Sequence, residues 1–294
     1  MSNNFSKIGL SFSLKIIFLF SIFLICLYLT AALSALLSNK YGVTFFTLNI
    51  QICLQNILTF TFPAVVIAYF TSSRPLHFLG MTTKLKFKNF AFVLLTYLCA
   101  IPAMNFIIDW NCNIHLPQQF SQIEQVLRDF EDAAQAMTNT LTSNNSLPRI
   151  ALLILSIGVL TGFGEEIFFR GMFTNLLIQR PYNKHIAIWI GAFVFSLMHF
   201  QFFGFIPRML LGAFFGYLLV WTDCLWLPIF AHALNNSFAI IVKYIEDQDI
   251  ISFSVDKVGT TDMMPWSAII SIVIVAFLLS KRRYFGIQTQ KIAD

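Results

Sequence analysis

The chain has 294 residues, of which 57% are hydrophobic and only 11% are charged. Soluble domains carry about 25% charged residues, so this composition excludes a water-soluble globular protein and indicates a membrane protein. The formal net charge is +5, but the basic residues are dispersed, which argues against a nucleic-acid partner. The five cysteines show no CxxC spacing, so the sequence predicts neither a disulfide framework nor a thiolate metal site.

Apolar runs long enough for a helix to cross the hydrocarbon, about 20 residues, occur eight times along the chain. The predicted fold class is therefore all-α, a polytopic transmembrane helix bundle of about eight spans. The first run is longer than the apolar core of a cleaved signal peptide, so we interpret it as a retained span. The predicted spans are 14–37, 50–70, 89–108, 149–174, 185–203, 206–222, 225–243 and 264–280.

Basic residues divide unevenly between the two sides of this predicted bundle. If the amino terminus is cytoplasmic, six of the 19 Lys and Arg residues lie outside, Arg170 lies within a span, and the remainder lie inside. Positive charge is enriched on the cytoplasmic side of membrane proteins, so both termini are predicted to be cytoplasmic in a multi-pass protein of the cell membrane. The inside residues are Lys7, Lys15, Arg74, Lys84, Lys86, Lys88, Arg180, Lys184, Lys281, Arg282, Arg283 and Lys291.

The segment 117–141, between the third and fourth spans, has the pattern of an amphipathic helix. Its apolar residues recur at alternating steps of three and four, and its acidic residues lie largely off this stripe. We expect this helix to lie on the outer face of the bundle or at the lipid headgroups. A lid over a site within the bundle is the alternative.

The fourth span carries ionisable residues where its middle should be apolar. Such groups are costly at membrane depth and mark function by default. Glu166 and Arg170 are four residues apart, the spacing at which a carboxylate meets a guanidinium on one helix face. Glu165 lies about 100° around the helix from Glu166 and has no such local partner. We therefore predict a structural Glu166–Arg170 pair and a Glu165 free for chemistry; an inert cluster of all three is the alternative.

Two later spans add histidines to this set. The fifth span ends in His199, and the seventh places His232 and Asn236 on one face at i and i+4. A lone histidine on an apolar helix is usually a hydrogen-bonded core residue, but two in a chain with only five favour a functional role. Counting the helical rise from each span end puts Glu165, His199 and His232 at similar depth, near mid-membrane.

These residues limit the chemistry that the chain could perform. A GxSxG nucleophile turn is absent, no second buried Asp accompanies Asp223, and no histidine precedes a glutamate as in HExxH. What remains is a water activated by Glu165 as base, with His199 sharing the proton, and His232 and Asn236 as donors to an oxyanion. Two histidines and one glutamate are also a zinc ligand set, so zinc remains an alternative cofactor at this point.

Three motifs in these spans resemble those of the CAAX-protease and bacteriocin-processing (Abi) family of intramembrane glutamate endopeptidases. The EExxxR motif corresponds to Glu165–Arg170, the FxxxH motif to Phe195–His199 and the HxxxN motif to His232–Asn236. They occur in the family order and without departure from the pattern. The resemblance covers roughly 148–245.

The resemblance implies an eight-helix bundle around a conical cavity and a mechanism without metal. By it, Glu165 and His199 activate water, while His232 and Asn236 stabilise the tetrahedral intermediate; Glu166, Arg170 and Phe195 support them. The chain then divides into 1–147 with three spans and the amphipathic helix, a CAAX-protease-like core at 148–245, and 246–294 with the last span and a basic tail.

The predicted activity is hydrolysis of a peptide bond in a membrane-associated substrate, either lipidated or bacteriocin-like, with membrane lipids as the other partner. The principal alternative is a non-catalytic bacteriocin self-immunity or scaffold protein that binds a partner through the same cavity. A transporter with a proton relay of Glu165, Glu166 and the histidines is a third hypothesis. Transporters more often show paired half-repeats, which this sequence lacks.

Overall fold

The computed structural model describes residues 9–142, 146–180 and 183–287, and within these ranges the secondary structure is helical, without a β-strand. The predicted all-α class is thereby confirmed. Lys7 and Lys291, and with them both ends of the predicted charge pattern, lie outside the described residues, so the orientation of the termini stays a prediction. The main helices are α1 (Phe12–Tyr41), α2 (Phe45–Thr71), α3 (Phe87–Cys112), α4 (Ser121–Thr142), α5 (Leu147–Ile178), α6 (Lys184–Leu197), α7 (Phe205–Thr222), α8 (Trp226–Asp247) and α9 (Pro265–Ser280).

Each of the eight predicted spans coincides with one of these helices. Helices α1, α2, α3, α5 and α7 are long and apolar enough to cross a membrane, whereas α6 and α9 are apolar but shorter. Helix α8 has 22 residues but also carries the polar residues of the third motif. The chain is thus a multi-pass membrane protein built as a helical bundle.

The fifth span is shorter than the sequence predicted. Its helix ends at Leu197 rather than near residue 203, because the chain turns through Phe200, which has a left-handed backbone with φ of 55°. A non-glycine residue rarely adopts this conformation. The turn takes His199 off the helix and places it in the connection to α7.

The outer surface of the bundle is apolar, as contact with lipid requires. Large side chains such as Tyr28 on α1 and Ile269 on α9 are 77% and 67% exposed. A soluble protein rarely leaves so many large apolar groups in water. In lipid the exposure of these apolar side chains carries no free-energy penalty. Packing and polar contacts between the helices, rather than burial from water, therefore hold the bundle together.

Helix α5 lies at the centre of the bundle and packs against α2, α6, α7 and α8. Its α-helical turns alternate with two wider π-helical segments, Ile154–Leu160 and Ile167–Thr174. The rings of Phe168 and Phe169, both fully buried, anchor the largest apolar core. The glutamate pair ends the α-helical segment just before these rings, at the point where the helix widens. Such π-helical turns are often found at functional sites.

Two glycines allow α5 and α8 to approach closely. Gly158 and Gly162 lie one turn apart on α5, and both face Ala233 of α8. A Cβ atom on Gly162 would lie 3.0 Å from the backbone nitrogen of Ala233, closer than an ordinary van der Waals contact, so the α8 backbone would have to move. This small-residue contact is a common way for membrane helices to pack. It brings the residue next to Ala233, His232, against the glutamates of α5.

Helix α4 corresponds to the predicted amphipathic segment. Phe120, just before its start, and Ile123, Phe130 and Met137 along its apolar stripe are at least 41% exposed, which fits a helix whose apolar face meets lipid at the interface. The guanidinium carbon of Arg128 lies 3.5 Å from the centre of the Phe203 ring, so α4 also rests on the turn between α6 and α7.

Replacing Gly162 by alanine should separate α5 from α8. The added methyl group meets backbone of α8, which cannot rotate away, so we expect a loss of about 1–3 kcal/mol in the free energy of unfolding. Gly158→Ala is the matched control, since the only close approach of its methyl group is to the Ser237 hydroxyl, at 2.3 Å, and that side chain can rotate, while backbone of α8 is at an ordinary contact distance of 3.7 Å. Thermal unfolding in detergent micelles, followed by tryptophan fluorescence, compares the two. Equal stability of both variants would show that the contact at Gly162 does not hold the helices together.

Candidate active site

An ion pair within α5 lies at the buried bottom of the site. Arg170 Nη1 lies 2.7 Å from Glu166 Oε1, and both side chains are at most 1% exposed. The second arm of the guanidinium, Nη2, donates to the carbonyl of Gly212 on α7 at 2.9 Å. The pair that the i, i+4 spacing predicted therefore also joins α5 to α7. A charge at this depth needs such partners, since an unpaired one is strongly destabilising.

His232 on α8 is oriented by the same glutamate. Its Nδ1 lies 2.8 Å from Glu166 Oε1, the oxygen that Arg170 also contacts. The ring stacks on Phe215, with 5.2 Å between ring centres. These contacts point Nε2 at the neighbouring carboxylate, 3.9 Å from Glu165 Oε2. Glu166 thus holds a histidine of another helix, a role that its spacing to Arg170 did not reveal.

His199 approaches Glu165 from the other side. Its Nδ1 lies 2.8 Å from the carbonyl oxygen of Phe195. A carbonyl can only accept, so Nδ1 carries the hydrogen and Nε2 of the neutral ring is an acceptor. That Nε2 lies 4.0 Å from Glu165 Oε2. The His199 side chain is 29% exposed, whereas the Glu165 side chain is 10% exposed. The site therefore opens on the His199 side.

Glu165 lies where the two histidines converge. Its Oε2 is buried and accepts no hydrogen bond from the groups that the structure describes. Distances of 3.9 and 4.0 Å to the imidazole nitrogens are too long for direct hydrogen bonds and suit an atom held between the groups, such as a water oxygen. The carboxylate therefore faces the position at which a small reactant would be activated.

Phe195 packs between the charged and the imidazole groups. Its ring centre lies 4.4 Å from the guanidinium carbon of Arg170, and 5.0 and 5.8 Å from the ring centres of His199 and His232. The ring is 3% exposed. It keeps both imidazoles in their orientations.

Asn236, the last of the predicted site residues, has different partners. Its Nδ2 donates to the carbonyl of Ile157 on α5 at 3.0 Å, and its Oδ1 accepts from Asn235. The amide lies one turn from His232 on α8 and links that helix to α5. The structure gives it no hydrogen bond to Glu165, His199 or His232 within the described residues, and its role at an oxyanion stays a prediction.

Sequence analysis missed three contributors, all on α7. Gly212 supplies the carbonyl for Arg170, Phe215 stacks on His232, and Arg208 is hydrogen-bonded to Gln201, two residues after His199. Gly212 and Phe215 belong to none of the three motifs, and a glycine and a phenylalanine in an apolar span give no signal of function. Arg208 was assigned only to an outer span end, although a cation so near a span was a detectable signal.

The arrangement bears on the choice between water and zinc. Both histidines use Nδ1 for a structural hydrogen bond and present Nε2, as metal-ligating histidines commonly do. Zinc ligands lie about 2.0–2.2 Å from the ion, and the described residues hold no group of three or more His, Cys, Asp or Glu side chains arranged around such a point. The metal-free mechanism and the conical cavity both stay predictions.

Comparison with known proteins finds a family model that covers the three motifs. A family model described as "Type II CAAX prenyl endopeptidase Rce1-like" matches residues 147–238. YdiL of Bacillus subtilis (strain 168), to which the activity of a membrane peptidase is ascribed, is 27% identical over 116 residues, which cover 37% of this chain and 47% of that protein. The chain thus spans about half the length of this relative. No solved structure matches the chain with significance.

The matched range coincides with the part of the chain that holds the candidate site. It begins with α5 and ends within α8, and it includes Glu165, Arg170, His199, His232 and Asn236. Residues 147–238 are thus similar to the CAAX protease family, and all three motifs lie within the matched range.

Proposed function

We propose that this protein is an intramembrane peptidase that hydrolyses a peptide bond of a membrane-associated substrate with a water activated by Glu165. One observation carries the proposal: Glu165 Oε2 faces Nε2 of His199 and Nε2 of His232 at 4.0 and 3.9 Å, while each Nδ1 is held by a fixed acceptor. Preorganised groups around one buried carboxylate are what general base catalysis needs.

The first step is the addition of water to the substrate carbonyl. A water between Glu165 Oε2 and His199 Nε2 gives one proton to the carboxylate, and the hydroxide adds to the carbonyl carbon. His199 orients the water by accepting its other hydrogen. As the carbon–nitrogen bond breaks, the proton passes to the departing amine, so Glu165 regains its charge and the reaction balances.

His232 and Asn236 are the proposed donors to the oxyanion of the tetrahedral intermediate. His232 donates its Nδ1–H to Glu166, and its Nε2 lies beside Glu165. This Nε2 donates to the oxyanion in the doubly protonated ring, which has a hydrogen on each nitrogen. Asn236 Nδ2 has two hydrogens and donates one to the Ile157 carbonyl, so the second is available to a ligand. Donors fixed before the reaction act strongly in a site with little water.

The proposed substrate is a peptide or protein held at the membrane. Residues 147–238 match a family whose description names prenylated CAAX substrates, and a lipid anchor would deliver such a peptide to a site inside the bundle. A bacteriocin-like peptide meets the same requirement. The rival hypothesis, a self-immunity or scaffold protein without catalysis, predicts that function survives the loss of Glu165.

Glu165→Gln and His199→Ala should each abolish cleavage. The amide cannot take the proton of water, and the missing imidazole leaves the water unoriented, so we expect kcat to fall about 10²–10⁴-fold. The assay uses purified protein in micelles with a panel of fluorogenic lipidated and unlipidated peptides. His185→Ala is the matched control, because His185 lies at the start of α6, the helix that leads to His199, and is bonded to Tyr217 away from the site. Cleavage that persists in Glu165→Gln would refute the role of Glu165.

Chelators should leave this cleavage unchanged, since no step of the proposed mechanism uses a metal. The measurement repeats the peptide assay after prolonged incubation with EDTA and with 1,10-phenanthroline. Loss of activity that zinc restores would instead make Glu165, His199 and His232 zinc ligands. Unchanged activity in both chelators supports the water mechanism.

Glu166 and Arg170 are proposed to position the site rather than to react. Glu166→Gln leaves the buried Arg170 charge uncompensated, so the free energy of unfolding should fall by about 3–5 kcal/mol. The double variant Glu166→Gln/Arg170→Gln removes both charges and should recover part of this loss. Thermal unfolding in micelles measures both. A Glu166→Gln variant as stable as the wild type would show that the pair carries no structural role.

A further inference from the structure

Arg208, in the first turn of α7, is a half-buried cation that no acidic side chain neutralises directly. Its Nη2 donates to Gln201 Oε1 at 2.9 Å and its Nη1 to the Gln201 carbonyl at 3.4 Å. No ion pair within 4.0 Å among the described residues includes it. A guanidinium has five N–H donors, so these contacts leave most of its capacity for another partner.

The position of Arg208 directs it towards the candidate site. Arg208 and Gly212 are four residues apart and so lie on one face of α7. Gly212 faces inward, since a Cβ atom there would meet Arg170 Nη2 at 3.0 Å and Phe195 at 3.1 Å. Gln201, which holds Arg208, follows His199 by two residues. Arg208 also interacts electrostatically with both Glu165 and His199.

The neutral side chain of Gln201 lies between Arg208 and an acidic group of α4. Gln201 Nε2 donates to Glu131 Oε1 of α4 at 3.3 Å, while Gln201 Oε1 accepts from Arg208. The other oxygen of Glu131 is buried without a hydrogen-bond partner in the described structure. The amide thus orients the guanidinium, which has no direct ion pair among the described residues. Such an arrangement favours an anion that arrives from elsewhere, at the side of the site that His199 leaves open.

We propose that Arg208 anchors the substrate by binding its C-terminal carboxylate, and so sets which peptide bond lies at Glu165. This rests on the proposed peptidase function. A guanidinium binds the two oxygens of a carboxylate through parallel hydrogen bonds, which fixes direction as well as position. A substrate carboxylate is also the anion that every peptide with a free C-terminus brings to the site. A phosphate of a lipid headgroup offers similar chemistry, and the test separates the two sources.

The test measures binding, so that it does not depend on cleavage. Fluorescent S-farnesylated decapeptides that end in a free carboxylate or in a carboxamide are titrated into full-length Glu165→Gln protein in phosphatidylcholine nanodiscs. The carboxylate peptide should bind about 10- to 100-fold more tightly, as expected for hydrogen bonds to a charged group. Adding Arg208→Gln should lower its affinity to that of the carboxamide peptide, whose own affinity stays unchanged.

Three variants separate anchoring from general damage to the fold. Arg208→Lys keeps the charge without the paired donors, so it should retain only part of the preference. Gln201→Ala leaves the guanidinium unheld and should also reduce the preference for carboxylate. Arg74→Gln, which changes an exposed arginine away from the site, should keep it in full. A purely structural role of Arg208 would lower the affinity for both peptides alike.

Several outcomes overturn the proposal. They are the absence of peptide binding, equal affinity of the Glu165→Gln protein for both peptides, or a preference that Arg208→Gln leaves intact. A preference present in phosphatidylcholine nanodiscs but lost in phosphatidylglycerol nanodiscs, in Arg74→Gln as well, would also overturn it, in favour of an anionic lipid headgroup at Arg208. If wild-type protein cleaves neither peptide while the Arg208-dependent preference persists, the peptidase function fails and the anchor stands.

Discussion

One carboxylate oxygen, Glu166 Oε1, connects the helices on which the site depends. It lies 2.7 Å from Arg170 Nη1 and 2.8 Å from His232 Nδ1, and Arg170 reaches on to the Gly212 carbonyl of α7. This oxygen therefore joins α5 to α8 directly and to α7 through Arg170. In water such contacts contribute little, but at membrane depth an unpaired charge has no alternative partner, so the alignment of these helices is tightly constrained.

Close packing makes this polar connection possible. His232 reaches Glu166 because Gly158 and Gly162 let α8 approach the backbone of α5. One turn further along α8, the Asn236 amide hydrogen-bonds the Ile157 carbonyl and fixes the same helix pair. Steric fit and polar contacts thus specify the same arrangement. Neither alone would bring an imidazole against the carboxylate, because small-residue packing gives no direction to side chains and a hydrogen bond does not hold two helices at this distance.

The part of the site that sequence could predict is the part governed by local geometry. The Glu166–Arg170 pair follows from the i, i+4 spacing, and the eight apolar runs follow from the thickness of the hydrocarbon. Contacts between distant segments follow from neither. The Gly212 carbonyl, the stacking of Phe215 on His232 and the bond from His232 to Glu166 each join residues at least 17 positions apart in the chain. The left-handed turn at Phe200 also escaped prediction, because no glycine or asparagine marks it.

The two adjacent glutamates have different surroundings, and this difference supports the roles proposed for them. Glu166 has a guanidinium and an imidazole on Oε1, so its charge is neutralised and its geometry fixed, while its Oε2 has no hydrogen-bond partner within the described residues. Glu165 has no hydrogen-bond donor on Oε2 within the described structure, and the two imidazole nitrogens stand just beyond bonding distance from that oxygen. A carboxylate held in an ion pair is a poor base, because taking a proton would weaken its contacts. Glu165 has no such ion pair with Lys or Arg among the described residues, and its free oxygen faces the two histidines, which supports Glu165 rather than Glu166 as the proposed base.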